Sequence, residues 1–121
     1  MRGVSIMENT GCAVPGTALK SSGFHYTLSI IGGKYKMTIL YLLAEHTVLR
    51  HNQIHRYIES ISYKTLSVML KELIADGVIS RQEYPQTPPK VEYSLTELGE
   101  SLIPILNHMC DWGEKNQGSV L

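Results

Sequence analysis

Apolar residues recur at helical spacing through most of the chain and alternate strictly over one stretch near residue 90. The clearest pattern is "SISYKTLSVMLKELIADG", where Leu66, Met69, Leu70, Leu73 and Ile74 fall at i, i+3, i+4, i+7 and i+8, a single apolar stripe along a helix. Ser62 precedes it as a good N-cap, its hydroxyl able to accept from the first free backbone N–H groups. Gly77 follows it, suited to the left-handed C′ position. "KYKMTILYLLAEH" places Met37, Leu40 and Leu43 with Ala44 on one face, which predicts a strongly apolar helix near the centre of the core. Phe24 to Ile31, "FHYTLSII", reads as a short helix with Leu28 and Ile31 inward, ended by Gly32-Gly33. Thr47 to Leu49 predicts a very short strand. Asn52 is then placed to cap a short helix with Ile54, Tyr57 and Ile58 facing in.

The period next changes to two. "VISRQEY" and "KVEYSL" both alternate, and in the second Val91, Tyr93 and Leu95 share one face while Lys90, Glu92 and Ser94 share the other. Pro85-Gln86-Thr87-Pro88-Pro89 joins them. Proline blocks strand continuation and stiffens the loop, so this is a two-stranded hairpin with a rigid, protruding tip. Thr96 is placed to cap a final helix, with Glu97 in the first turn where the helix dipole favours an acid. Leu98, Leu102, Ile105, Leu106, Met109 and Trp112 form its apolar stripe, and Pro104 within it is expected to kink it. Residues 1–23, rich in Gly, Ser, Thr and Pro, read as an arm without regular structure. Residues 24–121 form one domain, in line with the chain length.

A short helix followed across a tight turn by a second helix is a helix-turn-helix arrangement, and the hairpin directly after it is a wing. The predicted fold is therefore mainly α with a small β-hairpin, a winged helix-turn-helix. In such folds the second helix enters the DNA major groove. Opposite its apolar stripe lie Tyr63, Lys64, Ser67 and Lys71, donors with no acid among them. Ser62 and Thr65 at the helix start and Arg50 ahead of the first helix join the candidate DNA-binding set. Arg81, Gln82 and Lys90 on the wing complete it, since a slender tip carrying a cation can reach the strongly negative minor groove. The plainer alternative is a solvated helix face and an exposed hairpin with ordinary charges.

Charge supports a polyanion partner only through its distribution. Net charge is zero, with 11 Lys+Arg against 11 Asp+Glu. Lys34 to Lys71 carries six cations against two acids, whereas Val78 to Leu121 carries three against six. Extending the first window to Asp76 adds two acids. A basic middle and an acidic end fit one polyanion-facing surface and another face for something else. The alternative is a winged-helix module that binds a protein partner and no DNA, which zero net charge favours and the middle cations oppose. The start shows no sustained apolar run of a signal peptide, and no run approaches the ~20 residues needed to span a bilayer. A cytoplasmic protein without a membrane partner is the expectation.

Enzyme chemistry finds no footing. Ser67 and the histidines form no recognisable triad order, and no Gly-rich phosphate loop follows a strand. Glu97 and Glu100 sit where a helix start favours acids. His51 and His55 stand at i, i+4, but no acid or cysteine nearby completes a tetrahedral metal set, so no metal or other cofactor is expected. The two cysteines, Cys12 and Cys110, lie far apart without a CxxC pair, which excludes a zinc ribbon. Cys110 beside Met109 and Trp112 reads as a small core residue. Cys12, in a polar arm shortly before a helix, is either a reactive thiol or an inert one.

"GC" at 11–12, "IIGGKYKMTILYLL" at 30–43, "ISYKTLSVMLKELIADGVISRQEYPQTPPKVEYSLTELGESLIPIL" at 61–106 and "WGEK" at 112–115 together resemble the HxlR-type transcriptional regulators, winged helix-turn-helix proteins related to the MarR group. The resemblance covers roughly Gly11 to Lys115, and "PPKVEYSLTELG" and "IGGK" are its most specific pieces. It implies a homodimeric bacterial DNA-binding regulator whose dimer interface uses the N-terminal region and the last helix. Its recognition helix matches Ser62–Asp76 and its wing Ile79–Leu95. Some members sense electrophiles or oxidants through the cysteine corresponding to Cys12. The chain departs at Tyr35, usually tryptophan, and at Arg50-His51, often Arg-Phe.

The Leu98–Trp112 stripe spans about four turns, more than one small core covers. With Leu28 of the first helix, Leu98, Leu102, Ile105, Leu106, Met109 and Trp112 are therefore the candidate dimer interface. A two-fold dimer would set its recognition helices ~34 Å apart on a pseudo-palindromic double-stranded operator.

Overall fold

The structure, a computed structural model, describes Leu19 to Val120. Cys12 and the rest of residues 1–18 lie outside the described residues. The chain divides into two compact units at Gly33/Lys34. In the first, a 3₁₀ turn at Leu19–Ser21 precedes α1, Gly23–Ile31, so regular structure begins within the segment expected to be an arm. Ser22 Oγ caps α1 by accepting from the His25 N–H at 3.0 Å. The buried residues of α1 are Ile30 and Ile31, and Leu28 is exposed rather than inward. At 100° per residue the centre of that buried arc lies about 110° around the helix from Leu28.

The second unit opens with α2, Lys36–His46, which buries Ile39, Leu40 and Leu43 almost completely. Met37 and Ala44, expected on the core face, are half-buried. After α2, Val48–Leu49 form β1. Next comes α3, His51–Tyr57. Its cap is not Asn52: Arg50 is extended, and its N–H donates to Gln53 Oε1 at 2.8 Å. The longer Gln53 side chain reaches back across the first turn, the N3 half of a capping box. Ile54 and Ile58 are buried as expected, but Tyr57 is exposed and stacks on His46, centroids 4.7 Å apart.

α4, Tyr63–Ala75, begins as its pattern predicts, with Ser62 Oγ accepting from the Thr65 N–H at 3.0 Å. Leu66, Leu70 and Leu73 are buried to 1% exposure or less. It ends in a Schellman motif: the Val78 N–H donates to Leu73 O at 3.2 Å and the Gly77 N–H to Ile74 O at 2.9 Å. Gly77 takes φ +81°, where a Cβ is unfavourable.

β2, Ile79–Tyr84, and β3, Lys90–Leu95, pair antiparallel with Arg81 opposite Tyr93. β1 adds to the other side of β3, so the expected hairpin is a three-stranded sheet in the order β1-β3-β2. Of the alternating Val91, Tyr93 and Leu95, only Tyr93 is fully buried. Thr96 then caps a single turn, α5, Glu97–Glu100. The chain turns at Ser101-Leu102, and α6 runs from Ile103 to Asn116 with Pro104 in its first turn. The proline therefore starts a helix instead of kinking one, because a first-turn residue has no intrahelical use for its N–H. Of the long apolar stripe, Leu106 is buried and Leu102 half-buried, while Leu98, Ile105, Met109 and Trp112 are exposed.

Candidate nucleic-acid interface

α3 and α4 form the helix-turn-helix. The turn is pinned from below by Ile58 and Ile61, both buried, and closed by an Ile61 N–H to Ile58 O bond of 3.2 Å. With Leu66, Leu70 and Leu73 in the core, the outer face of α4 carries Tyr63, Lys64, Ser67, Val68 and Lys71. Lys64 and Lys71 are exposed and have no carboxylate partner among the described residues. Glu72 is engaged elsewhere, 2.8 Å from Lys36 Nζ, which leaves the face basic. Val68, 42% exposed, lies in the middle of it at i+4 from Lys64; being apolar, it did not stand out among the donors of that face.

Ser62 and Thr65 serve the helix start: besides capping Thr65, Ser62 Oγ donates to Thr65 Oγ1 at 2.9 Å. Tyr63 and Ser67 are instead organised by two histidines from α3. The His55 ring stacks on Tyr63 at 3.9 Å and 3°, and the His51 ring at 5.7 Å and 10°. His51 Nε2 lies 3.0 Å from Ser67 Oγ. Burial, and then the neighbouring His55, lower the His51 pKa below the ordinary histidine value. Their i, i+4 spacing was the only sequence signal for these histidines; with no further ligands it argued against a metal and read as phosphate-facing or solvated side chains, and it gave no hint of the contacts to Tyr63 and Ser67. Among the described residues no group of three or more His, Cys, Asp or Glu could hold an ion.

Arg50 is exposed at the start of α3, where it shares a cleft of about 230 Å³ with His51, Asn52, Pro89, Lys90 and Val91 at the base of the wing. Lys90 Nζ is 3.5 Å from Glu92 and lies 4.7 Å over the Tyr84 ring. Arg81 pairs with Glu83 at 3.2 Å, and its pKa is held up by the Tyr93 hydroxyl and then by Glu83. The Gln82 amide donates to Glu83 O at 3.4 Å. The wing's cations are thus neutralised within the wing. The Arg81–Glu83 pair is exposed, and such pairs are worth under about 1 kcal/mol, so phosphate can replace that carboxylate at little cost. Cys110 is half-buried rather than a core residue, and its thiol, 3.7 Å from Glu114, is pushed up by that carboxylate and then by burial.

A recognition helix with a buried stripe and a basic outer face, preceded by a short helix and followed by a wing, defines a winged helix-turn-helix DNA-binding regulator. The chain belongs to the HxlR-like helix-turn-helix family, whose pattern it matches over residues 30–120. It is 56% identical over 101 residues to an HTH-type transcriptional regulator of Halalkalibacterium halodurans, covering 84% of this chain and 89% of that protein. The fold resembles the redox regulator HypR in its reduced form, with a TM-score of 0.78 and 43% identity over 82% of this chain and 97% of that one. For the oxidized form of HypR the TM-score is 0.73 and the identity 45%, over 77% and 95%. These relatives favour DNA-binding regulation over a protein-interaction module. None of the described helices is long and apolar enough to cross a membrane.

Proposed function

We propose that the chain acts in the cytoplasm as a homodimer on a pseudo-palindromic operator, with α4 in the major groove and the wing beside it, and that oxidants or electrophiles release it through Cys12. The observation that carries the DNA reading is the outer face of α4, where Lys64 and Lys71 stand without carboxylate partners among the described residues. Tyr63, Ser67 and Val68 supply base contacts there, Val68 being suited to a thymine methyl. Lys64, Lys71 and Arg50 supply phosphate contacts, which position the helix. Arg81, Gln82 and Lys90 follow from the wing, with Ser62 and Thr65 holding the helix start. No catalytic role is assigned to any of these groups.

The exposed Leu98, Ile105, Met109 and Trp112 support the dimer, because a patch of that kind on a monomer marks an interaction surface. The similarity to HypR, a redox regulator, supports the response to oxidants. Selection of bound duplexes from a random pool tests the reading. The expected product is an inverted repeat with half-sites about one helical turn apart; recovery of unenriched DNA would reject it.

A further inference from the structure

Ser67 is half-buried on the face with Tyr63, Lys64 and Lys71, and its hydroxyl is engaged on its inner side by His51 Nε2 at 3.0 Å. A serine hydroxyl has one hydrogen to give and two lone pairs to offer. The imidazole decides where that hydrogen points. A neutral ring with its proton on Nδ1 has a bare Nε2, which takes the Ser67 hydrogen and leaves the serine's lone pairs facing out. A protonated ring carries hydrogen on both nitrogens. Nε2 then donates to Ser67 Oγ, and the serine hydrogen is free to face out. Base edges in the major groove differ in this respect: adenine N6 and cytosine N4 donate, while guanine O6 and N7 and thymine O4 accept.

We propose that His51 is a specificity-determining positioning residue, whose protonation sets whether Ser67 accepts from or donates to a base edge, so that one operator position changes its preferred base with pH. The inference rests on α4 being the helix that enters the groove.

The surroundings hold the ring for this task. Stacking on Tyr63 fixes the plane of the imidazole, which keeps Nε2 aimed at Ser67. The titratable and charged groups around His51 are His55 and Arg50 on its own helix, Tyr63 on α4 with Lys64 and Lys71 on the same outer face, and Lys90 with its partner Glu92 from the wing. Burial and then His55 lower its pKa, so the free protein holds His51 neutral above the ordinary histidine value of about 6.5. With the remaining proton on Nδ1, Ser67 is then an acceptor. Docking against phosphate favours the charged ring, which brings the change within reach of mildly acidic conditions.

The test is duplex selection by wild type, His51→Phe and Ser67→Ala at about pH 8 and about pH 5.5, on either side of the histidine range. Wild type should prefer adenine or cytosine at one position at the higher pH. At the lower pH it should shift toward guanine or thymine by about three- to tenfold, the worth of one net hydrogen bond. His51→Phe retains a ring against Tyr63 but no nitrogen, and should bind without the shift. Ser67→Ala should lose the preference at both pH values. A wild-type preference that ignores pH, or a shift that survives in His51→Phe, overturns the inference while leaving the recognition face intact. A selected sequence unchanged in Ser67→Ala overturns the recognition-face reading itself. Ring nitrogen-15 shifts of the DNA-free protein decide the hydrogen bond separately. Nε2 should be the unprotonated nitrogen at the higher pH and should respond to Ser67→Ala; a protonated Nε2 there refutes the proposal.

Discussion

Gly99 lies directly against the carbonyl of Val78: a Cβ at position 99 would fall inside van der Waals contact with that oxygen. The same carbonyl accepts the Thr96 N–H at 3.1 Å, and the Thr96 hydroxyl donates to Gly77 O at 2.6 Å while accepting from the Gly99 N–H at 3.1 Å. The end of the recognition helix, the first residues of the wing and the start of α5 are thus tied at one point. Gly99→Ala should force these backbones apart and cost about 1–3 kcal/mol, as overpacking does. In a domain this small each kcal/mol lowers Tm by roughly 4–8 °C. A thermal melt identical to wild type would show that the junction yields freely.

Lys64→Ala and Lys71→Ala should each weaken operator binding and flatten its salt dependence by about one counterion per lost phosphate contact. Both side chains are exposed, so the melting temperature should hold. Titrations at several salt concentrations give the slope. An unchanged slope in the double variant would move the interface off this face.

Trp112 is 70% exposed and Met109 50%, a costly arrangement unless a second copy covers them. Trp112→Ser is expected to weaken self-association by about 2 kcal/mol or more, the scale of a buried aromatic at an interface centre. Sedimentation at micromolar protein should show a dimer for wild type and a shift to monomer for the variant. A wild-type monomer would remove the basis of the dimer.

Because the folded state lowers the His51 pKa, the unfolded chain binds more protons than the folded one between that depressed value and about 6.5. Stability therefore rises with pH across this window and is level above it, as far as this group contributes. His51→Phe should remove that slope. Urea unfolding of both proteins from mildly acidic to neutral pH measures it, and equal slopes would mean that His51 titrates alike in both states.

Diamide should release the wild-type protein from its operator. The two electrons and two protons it takes come from the Cys12 thiol and a second thiol, which join as a disulfide, and the diazene becomes a hydrazine. A rotation at the dimer junction would mis-space two recognition helices that must match a fixed helical repeat. Coupling of ~1–3 kcal/mol corresponds to about a 5–150-fold loss of affinity. Cys12→Ser should bind DNA and ignore diamide, whereas Cys110→Ser should still respond, because Glu114 disfavours the Cys110 thiolate. Equal release of Cys12→Ser would rule out Cys12 as the sensor.

What the sequence determined by itself is what depends on neighbours a few residues away. Ser62, Gly77 and the Leu66/Leu70/Leu73 stripe define α4 because caps and helical periodicity are local. The turn residues 85–89 likewise mark the wing between two alternating runs. The donors on the outer face of α4 were legible for the same reason, since a buried stripe dictates what lies opposite it. Only the tertiary structure decided the rest. Pro104 is compatible with a kink or a new first turn, and the structure takes the second: α5 ends after one turn at Glu100 and α6 begins at Ile103 with Pro104 in its first turn. The edge place of β1 beside β3 depends on pairing across more than forty residues. Tyr57 was expected in the core by its spacing, yet it finds an exposed partner in His46 on another helix. His51 and Ser67 are sixteen positions apart, and no periodicity links them. Their hydrogen bond exists because the turn folds α3 against α4, and distance in space, unlike spacing along a helix, is set by the packing of the whole core.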